Sequence, residues 1–109
     1  MADPAPIFTD TFSLCEWILG RMGNDERVLP RELCRESIAL LEAVLLALKG
    51  RNLGARLDEA DERLITLRVK LRLAACLGLL NEAQQAFALE SASRIGRQLG
   101  GWLRSLGPS

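Results

Sequence analysis

The sequence predicts an all-α fold, an antiparallel up-and-down four-helix bundle. Two observations lead there. Gly, Pro and Asn cut the chain into four long segments, and in three of them apolar residues recur at alternating three- and four-residue steps. Such spacing keeps one stripe of a helix facing a partner at a shallow crossing angle. No stretch sustains the two-residue alternation of a half-buried strand. At 109 residues there is room for one domain, residues 1–109, with one core.

The elements follow in order. The first helix is expected over about residues 10–22, with Asp10 as N-cap and Gly23-Asn24 as the stop. The second spans about 30–49, opening on Pro30, a residue favoured in a first turn, and closing at Lys49-Gly50. Its seam reads Cys34, Ile38, Leu41, Leu45 and Leu48. The third covers about 55–77 and stops at Gly78. Asp58, Glu59, Asp61 and Glu62 fall in its opening turns, where negative charge suits the helix dipole. Its seam is Leu57, Ala60, Leu64, Leu67, Leu71, Ala74 and Gly78. The fourth, about 82–106, has Asn81 as N-cap with Gln84 as capping-box partner, a seam of Ala88, Ala92, Ile95, Leu99, Trp102 and Leu106, and ends before Gly107-Pro108. Short connections make consecutive helices antiparallel neighbours.

Two helices are apolar beyond their seams. Ile65, Val69, Leu73, Cys76 and Leu80 form a second series on the third, and Leu40, Val44 and Leu46 lie off the seam of the second. One small bundle cannot bury so much circumference, so a second surface is expected to meet another subunit, giving a homo-oligomer. In the last helix Gly96 and Gly100 stand four apart, followed by Gly101. Each costs about 1 kcal/mol relative to Ala in a helix interior. Close approach of another helix or backbone is the expected compensation, and a kink is the alternative.

Composition narrows the function. Apolar residues make up 49% of the chain and charged residues 26%, which excludes disorder. The longest apolar stretch, Ile38 to Leu48, is interrupted by Glu42 and falls short of the roughly 20 residues that span a bilayer. The opening Met1-Ala2-Asp3-Pro4-Ala5-Pro6 lacks the basic-then-apolar plan of a signal peptide, so a cytoplasmic location is expected. Cys15, Cys34 and Cys76 are odd in number and far apart, and read as buried, reduced side chains. With no His and no Tyr, the Glu-x-x-His pairs of di-iron bundles and an imidazole-activated thiol cannot be built. Glycine fingerprints for phosphate or dinucleotide binding are also missing. The carboxylate pairs Asp58/Asp61 and Glu59/Glu62 read as helix-start charge. No enzyme activity, metal or cofactor is expected.

Charge remains as the functional signal. The total is zero, but residues 1–62 hold 7 Lys/Arg against 12 Asp/Glu, and residues 63–109 hold 7 against 2. The halves are thus −5 and +5. Arg56, Arg63 and Lys70 recur every seven residues on one flank of the third helix, and Arg68 and Arg72 form a second pair. Arg94, Arg97 and Arg104 share an outward face of the fourth. Long cations spaced to reach one backbone suit phosphate binding; a solvated surface paired with carboxylates, as in Arg68 with Glu62 or Arg94 with Glu90, is the other reading. No aromatic residues are interleaved for base stacking, so nucleic-acid binding would be driven by the backbone.

The C-terminal half also carries a resemblance. The run Leu67-Arg68-Val69-Lys70-Leu71-Arg72-Leu73-Ala74, then Leu77-Gly78-Leu79-Leu80, then Ile95-Gly96-Arg97-Gln98-Leu99-Gly100-Gly101-Trp102 resembles the accessory variability determinant (Avd) family of diversity-generating retroelements. The match covers about residues 57–105, and its double glycine before Trp within a helix is its most specific part. Trp17 resembles the aromatic of the family's first helix. The resemblance implies a four-helix bundle assembled into a ring-shaped homopentamer. Such a protein binds the reverse transcriptase and its template RNA and assists mutagenic cDNA synthesis without catalysing it. By position, Arg68, Lys70, Arg72, Arg97 and Arg104, with Arg63 and Arg94 beside them, become candidates for nucleic-acid or polymerase contact. Gly96, Gly100 and Trp102 become close-packing residues. A bundle of the same fold that binds a protein partner without nucleic acid is the competing expectation.

Overall fold

The computed structural model describes residues 5–107, and it is all helical apart from turns. Four helices follow one another: α1 (Pro6–Met22), α2 (Val28–Leu48), α3 (Leu53–Cys76) and α4 (Glu82–Ser105). Each packs on the next in sequence and α4 returns to α1, while the backbones of α1 and α3, and likewise of α2 and α4, stand further apart. Leu14, Ile18, Leu33, Leu40, Leu57, Leu67, Leu71, Ile95 and Leu99 are almost fully buried in one cluster between the four. Pro108, used above as punctuation, and residues 1–4, read above against a signal peptide, lie outside the described residues.

Helix ends follow local chemistry. α1 starts at Pro6, four residues before the expected cap, because Pro is accommodated in a first turn. Asp10 therefore lies inside the helix, where its carboxylate accepts a bond from Gln98 on α4 at 2.6 Å. α2 opens at Val28, after Arg27 rather than at Pro30, since Pro in a first turn leaves room for helical residues before it. α3 opens at Leu53, so its acidic residues stand beyond the first turn. It ends in two bonds, from Leu79 N–H to the Ala74 carbonyl (2.9 Å) and from Gly78 N–H to the Ala75 carbonyl (3.1 Å), with Gly78 at φ +79°. That is a Schellman closure, which needs a left-handed residue where the sequence supplies glycine. α4 has the expected capping box: Gln84 N–H donates to Asn81 Oδ1 (2.8 Å), and Asn81 N–H donates to Gln84 Oε1 (2.9 Å).

The seams of α3 and α4 hold where they are helical and central. Leu57, Ala60, Leu64, Leu67, Leu71 and Ala74 are buried, as are Ala88, Ala92, Ile95 and Leu99. Gly78 has left the helix, Trp102 is half-buried against the core, and Leu106 is exposed at the helix end. The seam of α2 is different. Leu33, Ser37, Leu40, Ala43, Val44 and Ala47 face inward, whereas Ile38, Leu45 and Leu48 are exposed and Cys34 and Leu41 are half-buried. α2 carries two apolar stripes, and the one containing small residues is the one its neighbours can approach closely. The inward hydroxyls of Thr11 and Ser37 are satisfied by carbonyls of their own helices, Ile7 and Cys34, at 2.7 and 2.9 Å.

Of the three cysteines only Cys15 is buried; Cys34 is half-buried and Cys76 exposed, because each belongs to a different face of its helix. All three are free thiols. None of the described helices is long and apolar enough to cross a membrane.

Candidate functional site

The seven basic candidates divide by what they touch. Arg63 and Lys70 both reach one carboxylate of α2: Arg63 Nη1 lies 3.7 Å and Lys70 Nζ 3.8 Å from Glu36 Oε2. Glu36 itself is buried, at 5% exposure. A lone carboxylate there would carry a large desolvation cost, and two cations on the facing helix offset it. The seven-residue repeat Arg56, Arg63, Lys70 is thus the flank of α3 turned to α2, with Arg56 and Arg63 also near Glu59 (3.8 and 4.0 Å). Arg63 and Lys70 serve the bundle before they serve a ligand.

On α4, Arg94 pairs with Asp10 of α1 at 3.8 Å and Arg97 with Glu90 at 3.5 Å. The pairs Arg94–Glu90 and Arg68–Glu62 do not form: Arg94 turns to Asp10, one helix away, and Glu62 and Arg68, six residues apart on α3, lie on different faces of it. Arg68, Arg72 and Arg104 have no carboxylate partner among the described residues. Arg68 is half-buried and leans on α4: a Cβ placed on Gly96 would stand 3.9 Å from its guanidinium and 3.4 Å from Leu64 Cδ2. Both are ordinary van der Waals separations, so Gly96 faces side chains of α3 with room for a methyl group. Gly100 does not face α3. A Cβ there would meet only Arg104 of its own helix, at 3.3 Å, and Gly101 likewise sees only that guanidinium. Contact with α3 is confined to Gly96, since Gly100 lies four residues further along, where α3 offers no atom within 4 Å.

Apolar side chains complete the picture. Ile65, Val69 and Leu73 are exposed at successive four-residue steps on α3, at 57%, 62% and 48%. Arg68 and Arg72 border this stripe and share a shallow depression with Ile65 and Val69. Beyond Leu73 the stripe runs into an open groove lined by Val28, Leu29, Pro30, Leu77 and Leu79, with Lys70 at its edge. The series anticipated on α3 is thus an outer surface, except for Leu80, which turns into the core after the helix ends. A second apolar surface, from α1 and α2, was not anticipated on α1: Phe12 and Leu19 are exposed there, as are Ile38 and Leu45 on α2.

Two local features complete the chemistry. Arg27 donates to Asp25 from Nε (3.0 Å), Nη2 (2.6 Å) and its backbone N–H (3.0 Å), which holds the Asp25 carboxyl down at about 2 and raises the guanidinium. Burial pushes the Cys34 thiol up, away from the thiolate a nucleophile needs. Among the described residues no group of three or more His, Cys, Asp or Glu is placed to hold a metal ion.

No protein-family model, curated protein or solved structure matches the chain.

Glu36 is the residue that sequence reasoning passed over. Its signal was available: a carboxylate among apolar neighbours on one helix, opposite cations seven apart on the next.

Proposed function

We propose that this chain is a non-catalytic accessory protein of a diversity-generating retroelement, binding the reverse transcriptase and its template RNA to support mutagenic cDNA synthesis. The reading includes an up-and-down helix order, a ring-like homopentamer and a cytoplasmic location. One observation carries it. The segment with the retroelement-like motif supplies the buried α3 residues Leu64, Leu67 and Leu71 and the α4 residue Gly96, and the same segment leaves Arg68, Arg72 and Arg104 without carboxylate partners among the described residues. Uncommitted guanidinium groups on a fixed scaffold are what contact with a phosphate backbone needs. Arg97 joins them, because its pair with Glu90 is largely solvent-exposed and worth little.

Nuclease-treated protein mixed with the reverse transcriptase and template RNA of a diversity-generating retroelement is expected to form a complex. Its RNA affinity should fall steeply with salt as counterions are released. Replacing Arg97 and Arg104 together with Gln should lower the slope of that salt dependence by about two. Absence of binding to both polymerase and RNA at low salt would refute the assignment.

A second reading is a protein-binding scaffold of the same fold without nucleic acid. It is favoured by the engagement of Arg63, Lys70, Arg94 and Arg97 with carboxylates and by the zero net charge. This scaffold would show a defined oligomer and no salt-sensitive RNA binding.

A further inference from the structure

One stretch of the acidic half runs against its average. From Ala43 to Leu57 there is no Asp or Glu, yet Lys49, Arg51 and Arg56 all stand in it. These residues carry the chain from the end of α2 into α3, through two left-handed positions, Gly50 at φ +83° and Asn52 at φ +51°. Glycine takes that conformation freely, and Asn is among the few other residues that tolerate it. The connection brings the three cations to one place, where with Leu46 of α2 they line a single depression. Lys49 and Arg51 are exposed and pair with no carboxylate among the described residues. Arg56 lies 3.8 Å from Glu59, an exposed pair that is worth little. Glu42 and Asp58, the next carboxylates along the chain on either side, pair with none of the three.

The backbone adds donors of the same sign. α3 begins at Leu53, between Arg51 and Arg56, and no side chain caps it. Its first bonded N–H is that of Arg56, to the Asn52 carbonyl at 3.0 Å, which leaves those of Leu53, Gly54 and Ala55 free. A Cβ built on Gly54 would meet no atom within 4 Å, so the space beside these groups is open. Lys49 has a simple electrostatic reason to be here, since it caps the negative end of α2. Arg51 and Arg56 have the opposite: they flank the positive end of α3, which repels them. An anion seated among them turns that repulsion into attraction.

We propose that the α2–α3 connection is a phosphate-binding site, in which Lys49, Arg51 and Arg56 and the free N–H groups of Leu53, Gly54 and Ala55 close on one phosphoryl group. Guanidinium groups can each take two oxygens of such a group, lysine adds a point charge, and a free helix amino end supplies N–H donors. The ligand is a phosphorylated molecule, and its source is a free nucleotide or the backbone of a nucleic acid. None of Arg68, Arg72, Arg97 and Arg104 lines this depression. The site therefore stands apart from the proposed function, and either can fail alone.

The test uses full-length, nuclease-treated, 15N-labelled protein at constant ionic strength. One arm is titrated with adenosine triphosphate, the other with a short single-stranded RNA lacking terminal phosphates. At least one should shift the amide signals of Leu53, Gly54 and Ala55 saturably. Lys49→Gln/Arg51→Gln should weaken that binding by about tenfold, with helicity by circular dichroism unchanged because both side chains are exposed. A response to the triphosphate assigns a free phosphorylated ligand, and a response to RNA alone assigns a backbone phosphate. No saturable shift in either arm overturns the proposal. So do shifts confined to the surroundings of Arg68, Arg72 and Arg104, which would leave the proposed function standing, and so does full affinity in the double variant. Should that variant unfold, the wild-type titrations decide alone, since the amide signals locate the ligand.

Discussion

α2 and α3 are both leucine-rich, and both show an apolar three-and-four rhythm, yet the rhythm points inward on one and outward on the other. On α3 the regular stripe from Leu57 to Ala74 is buried, and the spare series Ile65, Val69, Leu73 is exposed. On α2 the regular stripe of Ile38, Leu45 and Leu48 is exposed, and the less conspicuous set of Leu33, Ser37, Leu40, Ala43, Val44 and Ala47 fills the core. Periodicity reveals that a face is apolar. It does not say which of two apolar faces a neighbour can approach, and that is settled by side-chain size. Ala43, Ala47, Ala60, Ala74, Ala88 and Ala92 let the helices come together, leaving bulkier residues outside.

That difference is directly testable, and the largest effect is expected within α2 itself. Leu40→Ala should cost about 2–5 kcal/mol in urea unfolding, as for a fully buried leucine. Leu45→Ala, at 48% exposure, should cost less than about 1 kcal/mol at a protein concentration where the chain is monomeric. Equal costs, or the reverse order, would return the regular stripe to the core. A smaller effect should come from the polar tie between the two helices. Glu36→Ala should destabilise by about 1–3 kcal/mol, below the full value for a buried pair, because Arg63 and Lys70 retain partial access to water. Lys70→Gln should cost less than Glu36→Ala, since Arg63 still serves the carboxylate; the opposite order would show that the lysine, not the glutamate, is the constrained member. The smallest effect tests the glycines by the same size argument. Gly100→Ala is expected to be neutral or to stabilise by up to about 1 kcal/mol, because the added methyl meets only the movable end of Arg104. A substantial loss of thermal stability in that variant would show that Gly100 does lie against another backbone.

The limits of sequence reading follow from the same physics. The four helices were legible because their ends are local: Asn81 with Gln84, and Gly78 after α3, act through atoms within a few residues. The start of α1 was missed because Asp10 has a plausible cap's chemistry but is engaged by Gln98, 88 residues away. Arg63 and Lys70 were legible as a repeat, but the carboxylate they share belongs to another helix, so their commitment to the bundle was not. Arg68, Arg72 and Arg104 were picked for their charge and their place in the motif, and only the surroundings distinguish them from Arg94 and Arg97.

The circuit of helix contacts has a consequence for how the chain folds. Three of its four links join helices that are consecutive in sequence, which keeps loop-closure entropy low and favours rapid folding. The remaining link, α1 to α4, must bring together residues from opposite ends of the sequence, and it is held by Asp10 with Gln98 and Arg94, and Trp17 beside Phe87. That seam is where the bundle closes, and where a chain still emerging from synthesis has no partner for its first helix.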